Sequence, residues 1–162
     1  MDWTTMATSS SNGSDAFATA LRLLTGRDRS EAELAAKLKQ LGFSVAEIES
    51  ALEKCRGYNY LNDQRYALER ARALLRNGKG VGRKVLFDLR RKGIDEATAS
   101  QALETLETEF DTVQLLSEQL ERRFPNFNYH QADERQRRKV VSYFQRRGFG
   151  LGEIFQVLKT DE

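Results

Sequence analysis

The sequence of this 162-residue chain predicts an all-α fold, an elongated array of three tandem three-helix modules. Three observations carry that prediction. Charged residues make up 31% of the chain, with a single Pro and 11 Gly, which suits soluble helices better than a sheet. Apolar residues recur at three- and four-residue spacings between clear helix starts and stops. One six-position pattern also occurs three times in register. The implied organisation is a flexible N-terminal tail over 1–15, then modules at 16–57, 58–109 and 110–162.

Thr8 to Asp15, rich in Ser with Asn and Gly, holds too little apolar surface to order itself. Helical periodicity begins at Ala16; Ala16, Ala20, Leu23 and Leu24 share a face, and Gly26 closes the helix. Ser30 with Glu33 forms a capping box for a second helix striped by Leu34, Leu38 and Leu41, which Gly42 stops in the left-handed conformation. Phe43 follows, and Ser44 with Glu47 makes a second box for a helix striped by Val45, Ile48, Leu52 and Cys55. The second module opens at Asp63, capping a helix through Tyr66, Ala67, Ala71 and Leu74 that ends over Asn77 to Gly80. A basic helix from Val81 to Lys92 comes next, then a Gly-Ile corner and a helix opened by Asp95. The third module opens near Asp111, striped by Val113, Leu116 and Leu120 until Pro125 breaks it, and Asn126 to Gln131 is loop.

The period is explicit. Leu34, Leu38, Gly42, Phe43, Ile48 and Leu52 match Val85, Leu89, Gly93, Ile94, Ala99 and Leu103 at an offset of 51. A further offset of 55 reaches Val140, Phe144, Gly148, Phe149, Ile154 and Leu158. Gly stands at the same corner each time, as expected if every module must turn there.

Catalytic chemistry has no footing in these residues. Cys55 is the only cysteine, so no internal disulfide and no cysteine-based metal site is expected; on an apolar stripe it reads as a buried structural thiol. His130, the only histidine, sits in a loop beside Tyr129 and reads as a surface residue. The carboxylates from Glu104 to Asp111 spread around a helix end as a solvated face. Gly-Lys-Gly-Val-Gly at 78–82 lacks the strand and spacing of a phosphate-binding loop and reads as a helix–helix turn. No enzyme activity, cofactor or metal is expected. No apolar run approaches bilayer length, and the N-terminus lacks a basic region followed by an apolar core; the expectation is a cytoplasmic protein without membrane contact.

Charge is segmental, although the net value is only +2. Arg65 to Lys92 holds ten Lys/Arg against Glu69 and Asp88, Glu96 to Glu121 seven acids and no base, and Arg122 to Arg147 eight bases against two acids. On a helix, Val81, Val85, Leu86 and Leu89 face the module core, with Arg83, Lys84, Arg90 and Arg91 opposite. Phe87 falls amid those cations. The repeat architecture favours its packing on a neighbouring module; stacking on a base or wedging into a partner's pocket is the functional alternative. Arg83, Lys84, Arg91 and Lys92 correspond to Arg138, Lys139, Arg146 and Arg147 in the third module, whereas the first has Ala32, Glu33, Gln40 and Leu41. Arg65, Arg72 and Arg76 share one side of the preceding helix, with Glu69 placed to pair with Arg65 and Arg72. These thirteen residues, Phe87 and the cations from Arg65 to Lys92 and Arg138 to Arg147 just named, form the expected surface for a polyanion or an acidic protein.

Three stretches also carry a family resemblance. Arg27-Asp-Arg-Ser-Glu-Ala-Glu-Leu-Ala-Ala-Lys-Leu-Lys-Gln-Leu-Gly-Phe resembles the opening signature of the RecX family of bacterial recombination regulators. Tyr60-Leu-Asn-Asp-Gln-Arg-Tyr-Ala is similar to its second signature, and Leu89 to Ile94, ending Lys-Gly-Ile, to its third. The likeness covers roughly residues 16 to 160 in the family's order. It departs at Val81-Gly82, where such proteins often have Gly-Pro, and is least distinct in the third module. The resemblance implies a protein that lodges in the groove of the RecA recombinase filament on DNA, and a monomer is expected. There it would suppress RecA's ATPase and strand exchange or promote disassembly; the basic face adds single- or double-stranded DNA as an expected further direct partner. Two other readings stay open: a helical nucleic-acid-binding module acting without RecA, and a scaffold that docks proteins through Phe87 and apolar module ends.

Overall fold

The computed structural model describes residues 12–160, and among them nine helices and no strand. The helices are α1 (Asn12–Gly26), α2 (Glu31–Gln40), α3 (Val45–Gly57), α4 (Asp63–Arg76), α5 (Arg83–Arg91), α6 (Glu96–Glu107), α7 (Thr112–Arg123), α8 (Glu134–Arg146) and α9 (Leu151–Leu158). The chain divides into two compact units, Met1–Tyr66 with Lys92–Ile94, and Ala67–Arg91 with Asp95–Glu162. Residues 1–11 of the expected tail lie outside the described residues; α1 starts four residues before the expected Ala16, with Asp15 in its first turn, where a carboxylate meets the positive end of the helix dipole.

In the first unit, α1 lays fully buried Ala16 and Ala20 against α3, and the small side chains let the two helices close on one another. Leu34, Leu38, Ile48, Leu52 and Cys55 complete this core, with Phe17, Leu23, Leu24 and Phe43 packed on it. The Ser30–Glu33 box forms in full. The Ser44–Glu47 box forms by half: the Ser44 side chain accepts the Glu47 amide, but the Ser44 amide makes no return bond to the Glu47 carboxylate, whose Oε2 is buried without a partner among the described residues. Leu41 and Val45 depart from the expected stripes, being 51% and 72% exposed. Leu41 caps α2 and Val45 opens α3, so both ride on the corner instead of the packed face. Asp63 also takes another role. Asn62 Oδ1 accepts the Arg65 amide at 3.0 Å and so caps α4, while Asp63 Oδ1 accepts the first amide of α2, Glu31 N, at 2.8 Å.

In the second unit, Ala67, Ala71 and Leu75 form the buried stripe of α4, one residue beyond the expected Leu74. Val81 is buried but precedes the helix expected to contain it. Its amide donates to the Arg147 carbonyl at 2.8 Å and Gly82 sits at φ +52°, so helical geometry starts only at Arg83. The absence of a proline at position 82 leaves that start to the glycine. Asp95 and Asp111 cap α6 and α7 as expected, and α7 stops at Phe124 before Pro125. Edge-on aromatic contacts of Phe144 with Phe124, Tyr143 and Phe149, at centroid distances of 5.2 to 6.2 Å, fill the core between α8 and its neighbours.

The repeat survives in three dimensions. Leu34, Leu38, Ile48 and Leu52, then Val85, Leu89, Ile94, Ala99 and Leu103, then Val140, Phe144, Phe149, Ile154 and Leu158 are all buried. The three corner glycines adopt φ values of +96°, +82° and +96°. An L side chain there meets the left-handed penalty, which is why this position is glycine in each module.

Candidate partner-binding surface

The basic face of α5 forms because its core-facing residues are so few. Val85 and Leu89 are fully buried, and Arg83, Lys84, Phe87, Arg90 and Arg91 all lie exposed within an arc of about 120° on the other side. Asp88, the one acid in the helix, does not neutralise this face. It turns toward α4 and receives both the Nε and Nη2 of Arg70, at 2.8 and 3.1 Å. Arg83, Lys84, Arg90 and Arg91 have no carboxylate within ion-pair distance among the described residues.

Phe87 does not pack on a neighbouring module as the repeat architecture favoured. It is 57% exposed, with Lys84 Nζ 5.8 Å and Arg91 Cζ 5.9 Å from its ring centroid. A large ring kept in water between two cations is anomalous for folding alone, because burying it would be worth about 2 kcal/mol.

On α8, Arg138, Lys139 and Arg146 lie exposed within an arc of about 100° that also includes Arg135, opposite buried Val140 and Phe144. Arg135 was not among the expected residues; its three- and four-residue spacing to Arg138 and Lys139 was the available signal. The Val81–Arg147 bond seats the start of α5 against the end of α8. Lys84 Cβ lies 3.1 Å from where a side chain on Gly148 would begin, so Lys84 and Arg146 flank the same junction.

Several expected cations have structural work instead. Arg147 lies over the Tyr143 ring at 4.3 Å and donates to the Gly78 carbonyl at 3.3 Å. Arg72 grips Glu109 through two bonds of 3.2 and 3.3 Å, in place of the expected Glu69. Arg138 pairs with Glu134 one turn back, an exposed pair worth a few tenths of a kcal/mol that a stronger anion displaces. Arg76 is exposed at the last turn of α4, with no carboxylate within ion-pair distance among the described residues. In the first unit, Arg65 donates to the Asn59 carbonyl at 3.2 Å, and Lys92 Nζ lies 3.9 Å from Glu33. Burial alone would push the Glu33 carboxyl up. Bonds from the Tyr66 hydroxyl and the Ser30 amide, with Lys92 and Arg27 nearby, outweigh it and hold the group below its usual value.

A second exposed feature escaped the sequence reading. Tyr58 and Tyr60 stack at 5.7 Å just past α3, both at least half exposed, on either side of Asn59 at φ +59°. The Tyr-Asn-Tyr run after the helix was the signal. Elsewhere, burial pushes the Cys55 thiol up, His130 is exposed, and no group of three or more metal-ligating side chains occurs among the described residues. No described helix is long and apolar enough to cross a membrane.

The fold is that of a helical-repeat protein with exposed basic faces on α5 and α8. Models of the RecX first, second and third three-helix domains match residues 16–55, 62–103 and 109–158. The regulatory protein RecX of Syntrophotalea carbinolica is 46% identical over 147 residues, covering 91% of this chain and 96% of the relative. That of Trichlorobacter lovleyi is 39% identical, covering 94% and 99%. A crystal structure of a regulatory protein RecX superposes with a TM-score of 0.73 at 27% identity, covering 93% of this chain and 72% of the other. RecX from Lactobacillus salivarius shares the fold, with a TM-score of 0.72 at 22% identity over 93% and 97%. The chain belongs to the RecX family.

Proposed function

We propose that this protein is a non-enzymatic cytoplasmic regulator that binds RecA filaments on DNA, in the filament groove. It inhibits RecA's ATPase, strand exchange and filament growth, and so modulates recombination, DNA repair and the SOS response. Family membership supports RecA as the partner. The observation that carries the docking surface is Phe87, exposed amid four unpaired cations on α5. Aromatic and arginine side chains dominate binding energy at protein interfaces. Unpaired exposed cations select an acidic protein surface or DNA phosphates, and speed the encounter.

The experiment is RecA's DNA-dependent ATPase measured with rising amounts of this protein. Inhibition that weakens as salt is raised is expected, because exposed charges are screened; absence of inhibition at any ratio contradicts the proposal. A second reading, nucleic-acid binding without RecA, draws support from the exposed Tyr58–Tyr60 stack, since bases stack on such rings. Tight binding to a single-stranded oligonucleotide alone, falling steeply with salt, would favour it.

A further inference from the structure

In the second unit, a cavity of about 230 Å³ opens between the end of α6 and the start of α9. Its floor is apolar: Leu75, Val81, Leu103 and Leu106 are all buried. Gly82 and Gly150 line it with backbone alone, and a Cβ on Gly150 would meet nothing within 4 Å, so the wall stays open there. The volume falls below the roughly 300–1,000 Å³ of sites for drug-sized ligands. It suits a single long side chain instead.

The charged groups of this cavity are of one sign. Glu107 and Glu153 line it, no Lys or Arg does, and neither carboxylate has an ion-pair partner among the described residues. Arg72, which reaches this side of α6, is committed to Glu109. Glu107 is also poorly placed for folding. It stands in the last turn of α6, where no base is present and the helix presents its negative end. The neighbouring sequence supplies no relief, since Glu96 to Glu121 holds seven acids and no base. A cation arriving from outside the chain would answer both carboxylates and the helix end together.

We infer that this cavity receives an arginine side chain of a protein partner, its stem on Leu103 and Leu106 and its guanidinium at Glu107 and Glu153. An arginine stem buries against apolar surface while its charged head stays at the polar rim. The planar guanidinium carries five donors, enough for two carboxylates at once, and is more weakly hydrated than an ammonium, which selects arginine over lysine. The inference goes beyond docking through α5, because it uses none of the α5 cations. It gives the protein an acidic acceptor in addition to its basic faces.

Amide chemical shifts of the full chain, followed by NMR as a capped pentapeptide of one arginine among four glycines is added, test this. Saturable shifts are expected at Gly82, Gly148 and Gly150, which line the cavity. A lysine peptide should bind more weakly, and a peptide with citrulline, the uncharged isostere of arginine, should not bind. Glu107→Gln with Glu153→Gln, neither of them buried, is expected to raise the dissociation constant about tenfold or more with unchanged helical circular dichroism. Glu118→Gln with Glu121→Gln removes the same charge outside the cavity and should change it by less than about twofold. Absence of saturable shifts at these glycines overturns the inference, and so does a citrulline peptide that binds as well. Equal losses in the two double variants also overturn it, since general acidity would then suffice. A lysine peptide that binds as tightly overturns the assignment to arginine. None of these outcomes bears on RecA inhibition.

Discussion

At the scale of single residues, the three corner glycines all hold positive φ but sit in different surroundings, and the difference is measurable. Alanine at 42 meets only the left-handed penalty, about 1 kcal/mol. Alanine at 148 meets that penalty and the Val81 carbonyl oxygen 2.0 Å away, so roughly 2–4 kcal/mol is expected. Gly93→Ala falls between, because its neighbour is a single methyl, and Ala32→Gly should recover part of the loss. Urea unfolding of the three variants checks the ranking. Glu33 offers a test in pH. Its carboxyl is held below its usual value in the fold, so its stabilisation is present above the unfolded carboxylate range and is lost as pH falls through the folded value. Tyr66→Phe should therefore destabilise by roughly 1–2 kcal/mol at neutral pH, with the gap to wild type closing in acid. The Ser30–Glu33 box was legible from spacing alone. The bond from Tyr66 was not, since it joins residues whose separation of 33 carries no local signal.

At the scale of elements, helix faces were legible and ion pairs across helices were not. A periodicity of 100° per residue is written into the sequence, so α5 and α8 show their basic sides before folding is considered. Which cations remain free depends on neighbours distant in the chain. Arg72 is taken by Glu109 and Arg147 by Gly78 and Tyr143, and composition counts all of them equally. Arg147→Ala should cost about 1–2 kcal/mol of stability through the lost ring contact and hydrogen bond. Arg146→Ala should stay within about 0.5 kcal/mol. Thermal or urea unfolding of the pair checks this. The exposure of Phe87 was likewise not legible in the sequence, where the repeat architecture favoured a module contact over a partner contact.

At the scale of the whole molecule, three copies of one pattern fold into tandem three-helix domains, and that was legible because each copy repeats its apolar positions and its corner. The use made of each corner was not. Glycine reports the backbone conformation there, whether the corner is pressed against Ala32, against Val81, or against nothing. The cations are shared only by the second and third modules, so the positions that fold the repeat are separate from those that carry the proposed docking surface. The direct test of that separation is half-inhibition of RecA's DNA-dependent ATPase by three proteins: the wild type, Arg83→Glu/Lys84→Glu/Arg91→Glu, and Lys37→Glu/Lys39→Glu. The account predicts equal stability within about 0.5 kcal/mol, a rise of about tenfold or more in the half-inhibiting concentration for the α5 reversal, and a much smaller rise for the α2 reversal. Equal inhibition by all three would contradict it.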